Sequence, residues 1–431
     1  MSDSKAPQQA SRRGFLFGGG ALALAGWLSG ASGMAAAAAL AKTAKPQQPK
    51  DLEPFYGAHQ GGILTPQQQN SYFAAFDMAD TAKREDLIAL LKVWTDAAAR
   101  MTRGLPARDL SGQRDKAPLD SGEAVGLATG RLTITFGFGP GLFAKNGVDR
   151  YGLASRRPEA LVDLPKFNGD QLVPERSGGD LSVQACADDP QVAFHVVRML
   201  ATLADGIANV RWVQTGFASG APGGGTPRNL MGFKDGTNNP STKDPALMNQ
   251  FVWVGDEGGW MKGGSYLVAR RIRIALEHWD KTELGFQQEV VGRYKDNGAP
   301  LGQKHEFEPM KLDAVDKEGN PLIPDSAHSR VASPQENDGS RILRRAYSYD
   351  DGANFVAERW PPWHQGIEYD AGLFFLAYQR DPRSGFIRIN KKLAAMDMMN
   401  QYTTHVASAI FACPPGARPG GYIGEALFAG L

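Results

Sequence analysis

The chain has 431 residues, 42% of them hydrophobic and 22% charged, which is ordinary for a soluble globular protein. Its 47 Lys and Arg against 46 Asp and Glu leave a net charge of +1, so no global field marks it for nucleic acid or an anionic membrane. The two cysteines, Cys186 and Cys413, form neither a CxxC metal site nor a disulfide framework, and two separate buried thiols are favoured over a single bridge.

Residues 1–45 read as lying outside the fold. In "SRRGFLFGGGALALAGWLSGASGMAAAAALA", Arg12 and Arg13 precede a weakly apolar, glycine-containing run from Phe15 and an alanine-rich end. The S-R-R-x-F-L order favours a twin-arginine export signal over a membrane anchor or an ordinary secretory signal. Cleavage positions fall near Ala35 to Ala41. The expected location is the periplasm, with no stable membrane insertion after signal removal. This route carries folded proteins, often with a cofactor seated, and so gives a first hint of a prosthetic group.

A linker, "KTAKPQQPKDLEP", leads into the mature chain. "REDLIALLKVWTDAAARMTRG" predicts a helix, because Leu87, Leu90, Leu91 and Trp94 recur at helical spacing. "GRLTITFGFGPGLF" predicts a strand, with Leu132, Ile134 and Phe136 alternating with Thr133 and Thr135. A second helix, "DDPQVAFHVVRMLATLADG", and a second strand, "VRWVQTGFA", follow. The order then repeats loosely. "GSYLVARRIRIALEHW" is a strand with Tyr266, Val268, Ile272 and Ile274 apolar. "LFFLAYQRD" is another strand, and "KLAAMDMMNQYTTHVASAIFA" reads as mostly helical. An α+β duplicate fits this mixture better than a doubly wound sheet. The implied halves are residues 46–220 and 221–431. Residues 285–345 are polar and glycine-rich and read as loops over a rigid scaffold, where site residues often sit.

Three segments carry candidate chemistry. "MGFKDGTNNP" sets Asp235 between Gly232 and Gly236, glycines that suit a tight turn and close backbone approach to a ligand. "PDSAHSRVASP" presents His328, one of seven histidines (His59, His195, His278, His305, His328, His364, His405). A single imidazole can be the proximal ligand of a haem, its other nitrogen hydrogen-bonded to fix the tautomer. "SRILRRAYSYDDG" places Arg344 and Arg345 side by side in an extended segment, so one faces inward and one outward. A buried arginine needs an anionic partner, and Asp235 is a candidate. Zinc and serine-hydrolase readings lose ground, because HExxH and G-x-S-x-G are missing, and "GGG" at 223–225 lacks a P-loop ending.

Together "FYGAHQGGIL", "DLSVQACADDP", "RNLMGFKDGTNNP", "GGSYLVARRIRI", "LGFQQEVVGR", "AHSRV" and "ILRRAYSYDDG" resemble the dye-decolourising (DyP-type) haem peroxidases. The nearest branch is the exported, EfeB-like deferrochelatase/peroxidase branch, and the resemblance runs from about Phe55 to the C-terminus. It implies two ferredoxin-like halves forming a dimeric α+β barrel within one chain, with haem b in the second half. It implies a distal acid/base at Asp235 in the GxxDG motif, and binding by the surrounding Gly232, Phe233, Lys234, Gly236 and Thr237. It makes His328 the proximal ligand of the haem iron and Arg344 the distal arginine, with Arg345 the alternative. Phe374 and Phe375 fall in the segment that lines the distal pocket.

The implied activity is reduction of H2O2 through an oxoferryl intermediate, with oxidation of dyes or other one-electron donors. The alternative is recovery of iron from haem in the periplasm, linked to a ferrous-iron uptake system. A homo-oligomer, a dimer, is expected. An Asp in the distal role implies dye oxidation that peaks below about pH 6, since an ordinary Asp titrates near 3.9. Relatives commonly read A-H-I-R-x-x-N-P around the proximal histidine, whereas this chain has "AHSRVASP", with Ser329 and Ser333 as departures. The proximal hydrogen-bond partner is Asp397, Asn400 or Gln401. Trp360, Trp363, Tyr347 and Tyr349 could relay electrons, though ordinary packing is the favoured reading of each.

Overall fold

Strand β1 (Asn70–Met78) is buried on both faces, which explains its near-continuous apolar sequence. Phe73 and Ala75 point one way, into one apolar cluster, while Ala74 points the other way, beneath helices. Helix α1 (Arg84–Met101) follows and buries Leu87, Leu90, Leu91 and Trp94, the stripe its sequence spacing predicts. Strands β2 (Thr133–Phe138) and β3 (Leu181–Ala187), helix α2 (Pro190–Leu203) and strand β4 (Ala208–Phe217) complete the first half. Asp189 caps α2 by accepting from the amides of Gln191 and Val192, and Pro190 occupies the first turn.

The second half begins with β5 (Ser265–Ile274). A long connection holds the short helices α3 (Leu284–Val291) and α4 (His328–Val331). The two-residue strand β6 (Leu343–Arg344), β7 (Tyr347–Ala357), β8 (Gln365–Gln379), helix α5 (Phe386–Met396) and β9 (Thr403–Cys413) follow. This computed structural model describes residues 51–110, 114–220, 225–357 and 365–431, with side chains left aside at 355–357 and 365. The export signal, Trp360, Trp363 and His364 lie outside the described residues.

The strand order is β5-β9-β2-β3-β1-β4-β7-β8-β6, and β5 also pairs with β8, so eight strands close on themselves. Closure removes the exposed edges that an open sheet would present. All pairings are antiparallel. Within the first half the spatial order is β4-β1-β3-β2, and within the second it is β9-β5-β8-β7, the same pattern by position in each half. The halves meet at two narrow seams, Phe138 opposite Ala412 and Phe217 opposite Ser348.

Alternation along the strands decides what faces the site. On β5, Leu267 and Ala269 enter an interior cluster with Phe73, Trp212, Tyr347, Tyr349 and Phe374. Ile272 and Ile274 face a cavity instead. Tyr347 and Tyr349 are thus packed in the core, and burial pushes both hydroxyls to higher pKa. Cys186 and Cys413 are both buried and free, so no bridge forms.

Two sequence expectations need correction. Residues 403–413 are the strand β9 rather than helix, since pairing along nearly the whole of β5 overrides the helical preference of their alanines. The connection after residue 284 is not all loop, because α3 covers its start.

Candidate active site

Asp235 sits in a tight loop in which Arg228 and Lys234 face each other as an isolated antiparallel bridge. Asn229 Oδ1 accepts from the amides of Met231 and Phe233 at 3.1 and 3.3 Å, and the Asp235 amide donates to Pro227 O at 2.9 Å. Gly232 (φ 84°) and Gly236 (φ 124°) take backbone conformations that a side chain would strain. A Cβ at Gly232 would also stand 2.7 Å from Lys295 Cε.

Glu306, which the sequence reading missed, brackets the same carboxylate. It accepts from Thr237 Oγ1 at 2.8 Å and pairs with Lys234 Nζ. Burial alone would raise the Glu306 pKa, but Lys234, Thr226 and Thr237 outweigh it and the value is lowered. Arg293 ties down the same loop by donating to Glu306 O at 3.0 Å and Gly298 O at 2.8 Å.

Arg344 Nη1 donates to Asp235 Oδ1 at 2.6 Å. The Asn239 side chain clamps the Arg344 backbone from both sides, donating to its carbonyl at 2.8 Å and accepting from its amide at 3.2 Å. The "DGTNN" run therefore supplies the carboxylate and also fixes the strand that carries its cation. Arg345 turns the other way, into the barrel. It donates to Thr65 O and, at 3.0 Å, to Gln68 Oε1, so it does not join the site. The same alternation corrects the aromatic pair, since Phe375 lines the cavity and Phe374 packs on Phe73 in the interior.

The cavity has a water-accessible core of about 220 Å³, and Phe233, Ile272, Leu373, Phe375, Ile389 and Leu393 give it largely apolar walls. His328 and Asp235 both line it. His328 Nδ1 lies 2.6 Å from Asp397 Oδ2, and Asp397 Oδ1 accepts from the Met399 amide at 2.8 Å. Of the three possible partners, the carboxylate is the one in place, while Asn400 turns to Leu393 O. A carboxylate only accepts, so Nδ1 carries the ring proton and the neutral ring keeps its lone pair on Nε2. Among the described residues Nε2 has no hydrogen-bond partner. Burial opposes a charged ring, but the adjacent Asp397 outweighs it and raises the His328 pKa.

Asp235 and Arg344 also line a second cavity of about 240 Å³, on whose wall Phe307 is 73% exposed. The pair thus borders two cavities.

A largely apolar-walled cavity, one imidazole with a free lone pair, and a carboxylate–guanidinium pair form a donor set that suits a haem with one protein ligand. Among the described residues no group of three or more His, Cys, Asp or Glu is placed to hold a bare metal ion. Fold and site together define a haem peroxidase. Family comparison agrees, matching residues 60–218 to the DyP-type peroxidase N-terminal model and residues 226–418 to the C-terminal model. The chain belongs to the DyP-type peroxidase family.

It is 38% identical to a dye-decolorizing peroxidase of Thermobifida fusca, with 97% of each chain covered. It is 37% identical to a deferrochelatase of Escherichia coli strain K12, covering 99% of this chain and 98% of that protein. A DyP-type peroxidase structure from Streptomyces coelicolor superposes with a TM-score of 0.79 at 40% identity, over 88% of this chain and 97% of that one. Ferric DtpA from Streptomyces lividans gives 0.78 at 39% identity, over 88% and 97%.

Proposed function

We propose that this peroxidase reduces H2O2 with haem b held by His328, using Asp235 as the acid/base and Arg344 as the charge-stabilising group. Haem supplies, when bound, an iron that accepts the peroxide and stores its two oxidising equivalents. Asp235 removes the proton from the attacking peroxide oxygen and returns it to the leaving oxygen, which departs as water. Arg344, 2.6 Å from Asp235, keeps that carboxylate aimed and stabilises negative charge as the O–O bond breaks. Asp397 holds His328 in the tautomer whose Nε2 lone pair would be free to ligate the iron. The Asp235–Arg344 contact beside the histidine-bearing cavity is the observation that carries this reading. One-electron donors then restore the resting state.

An absorption spectrum of the purified protein tests it. A Soret band that changes on one equivalent of H2O2 and returns on adding a dye supports the reading, and a protein without a Soret band contradicts it.

Three finer points belong to the same proposal. The repeated β-α-β-β-α-β order and matching strand patterns support two ferredoxin-like halves, divided near residue 220. Export by the twin-arginine route is supported by Arg12 and Arg13. With both changed to Lys, the haem-loaded protein stays in the cytoplasm, whereas unimpaired periplasmic delivery contradicts this route. The likeness to deferrochelatases supports iron recovery from haem as a second reading. A ferrous-iron uptake system as partner and a dimer as the working form are the expectations that go with it. Intact protoporphyrin left after iron loss is the outcome that separates iron recovery from peroxidation.

A further inference from the structure

The cavity has a third polar cluster that the peroxide chemistry does not use. Arg270 on β5 is 0% exposed and pairs with Asp170, which the first half contributes from the loop before β3. Its Nη1 donates to Ser408 Oγ and its Nε to His405 Nδ1, each at 3.0 Å. A guanidinium Nε–H can only donate, so His405 Nδ1 must offer a lone pair and the ring proton must sit on Nε2. Burial, with Arg270 and His328 nearby, pushes the His405 pKa down to about 3, so the ring stays neutral and keeps this tautomer. His405 lines the cavity, and among the described residues its Nε2 has no hydrogen-bond partner. Asn390, 6% exposed, also lines the cavity and has no side-chain hydrogen bond among the described residues.

The charges point to what this donor receives. The cavity-lining carboxylates Asp170 and Asp235 are paired with the cations Arg270 and Arg344, while Asp397, hydrogen-bonded to the neutral His328 ring, keeps one negative charge. Two lining cations, Arg293 and Arg341, have no carboxylate within ion-pair distance among the described residues. The lining therefore carries uncompensated positive charge and suits an anionic ligand. A buried Arg–Asp pair is rarely better than apolar packing for stability alone, so its retention here fits a task, fixing the direction of one N–H.

We propose that His405 is a positioning residue whose Nε2–H binds a carboxylate of the prosthetic group, one of the haem propionates, and that Arg270 and Asp170 set its tautomer for this. This rests on the haem reading above. The test is to produce the full chain without haem and titrate it with haem and with haem dimethyl ester, whose carboxylates are masked. In the wild type, esterification weakens binding roughly 10- to 100-fold, the range for a hydrogen bond to a charged acceptor. In His405→Phe that penalty shrinks several-fold, while His405→Gln, which keeps an N–H donor, retains most of it. An equal penalty in wild type and His405→Phe overturns the assignment. If His405→Phe does not fold, resonance Raman of the haem-loaded wild type and His405→Ala, which removes the donor, decides instead. A shifted propionate bending band supports the contact, and an unmoved band refutes it. Failure of the wild type to bind haem at all would count against the site reading rather than against His405.

Discussion

The two halves of the barrel share connectivity and strand pattern but use them for different ends. In the first half, α1 and α2 press an apolar layer onto the strands, with Trp94 against Phe76 and Phe136, and the cavity beside them is only about 20 Å³, too small for a cofactor. In the second half the connection from β5 to β7 carries only short helices, and α5 turns Phe386, Ile389, Asn390 and Leu393 toward a cavity. The same frame is filled in one half and hollow in the other. Withdrawing the covering helices from one copy makes a site without altering the barrel that supports it. The first half still contributes, since its Phe167–Asp170 loop reaches across to line the cavity.

If that division is right, substitutions in the two halves separate binding and chemistry from stability. His328→Ala has the largest effect, because it removes the protein ligand proposed for the iron, so stable haem binding is lost while the fold persists. A retained, unshifted Soret band would move the ligand to another histidine. Trp94→Ala in the filled half is next. It removes a fully buried ring and its hydrogen bond to Leu200 O, costing about 3–5 kcal/mol by denaturant titration, with the peroxide rate per folded molecule unchanged. A large change in that rate would mean the halves are not independent.

Glu306→Gln is smaller. It weakens the hold on Lys234 and Thr237 and slows the reaction with peroxide roughly 10-fold, about the value of one charge-assisted hydrogen bond, with haem affinity unchanged. Smallest is its pH signature. Because the folded Glu306 pKa is lowered, the latch contributes fully above the ordinary glutamate value, about 4.3, and is lost as pH falls through the lower folded value. The wild type therefore has an additional acid limb in its peroxide rate, and Glu306→Gln lacks it. Identical acid limbs would remove Glu306 from the account.

The motif residues were legible because they are local. Asp235, His328 and Arg344 stand in short segments whose glycines, lone imidazole and paired arginines already suggest a site. The choice between Arg344 and Arg345, or Phe374 and Phe375, was not legible, since alternation in a strand says that one faces in but not which. Asp397 could be narrowed only to three neighbours, because its role depends on where a 3-10 turn at Met398–Gln401 sets the carboxylate. Glu306 and the Arg270–Asp170–His405 cluster were missed. Their partners lie 69 to 135 residues apart, and no local pattern joins them. The only available signal was two consecutive arginines, Arg270 and Arg271, inside an otherwise apolar strand, a sign that each needs a buried partner.

The central claim is that Asp235 moves the proton and Arg344 supports it. Stopped-flow mixing of haem-loaded wild type, Asp235→Asn and Arg344→Leu with H2O2 across several pH values tests it most directly. The account predicts that Asp235→Asn slows the first step roughly 10²- to 10⁴-fold with an intact Soret band, the range for loss of a general acid/base. A wild-type rate in Asp235→Asn together with a slowed Arg344→Leu would contradict it, leaving Arg344 to carry the chemistry and Asp235 to shape the pocket.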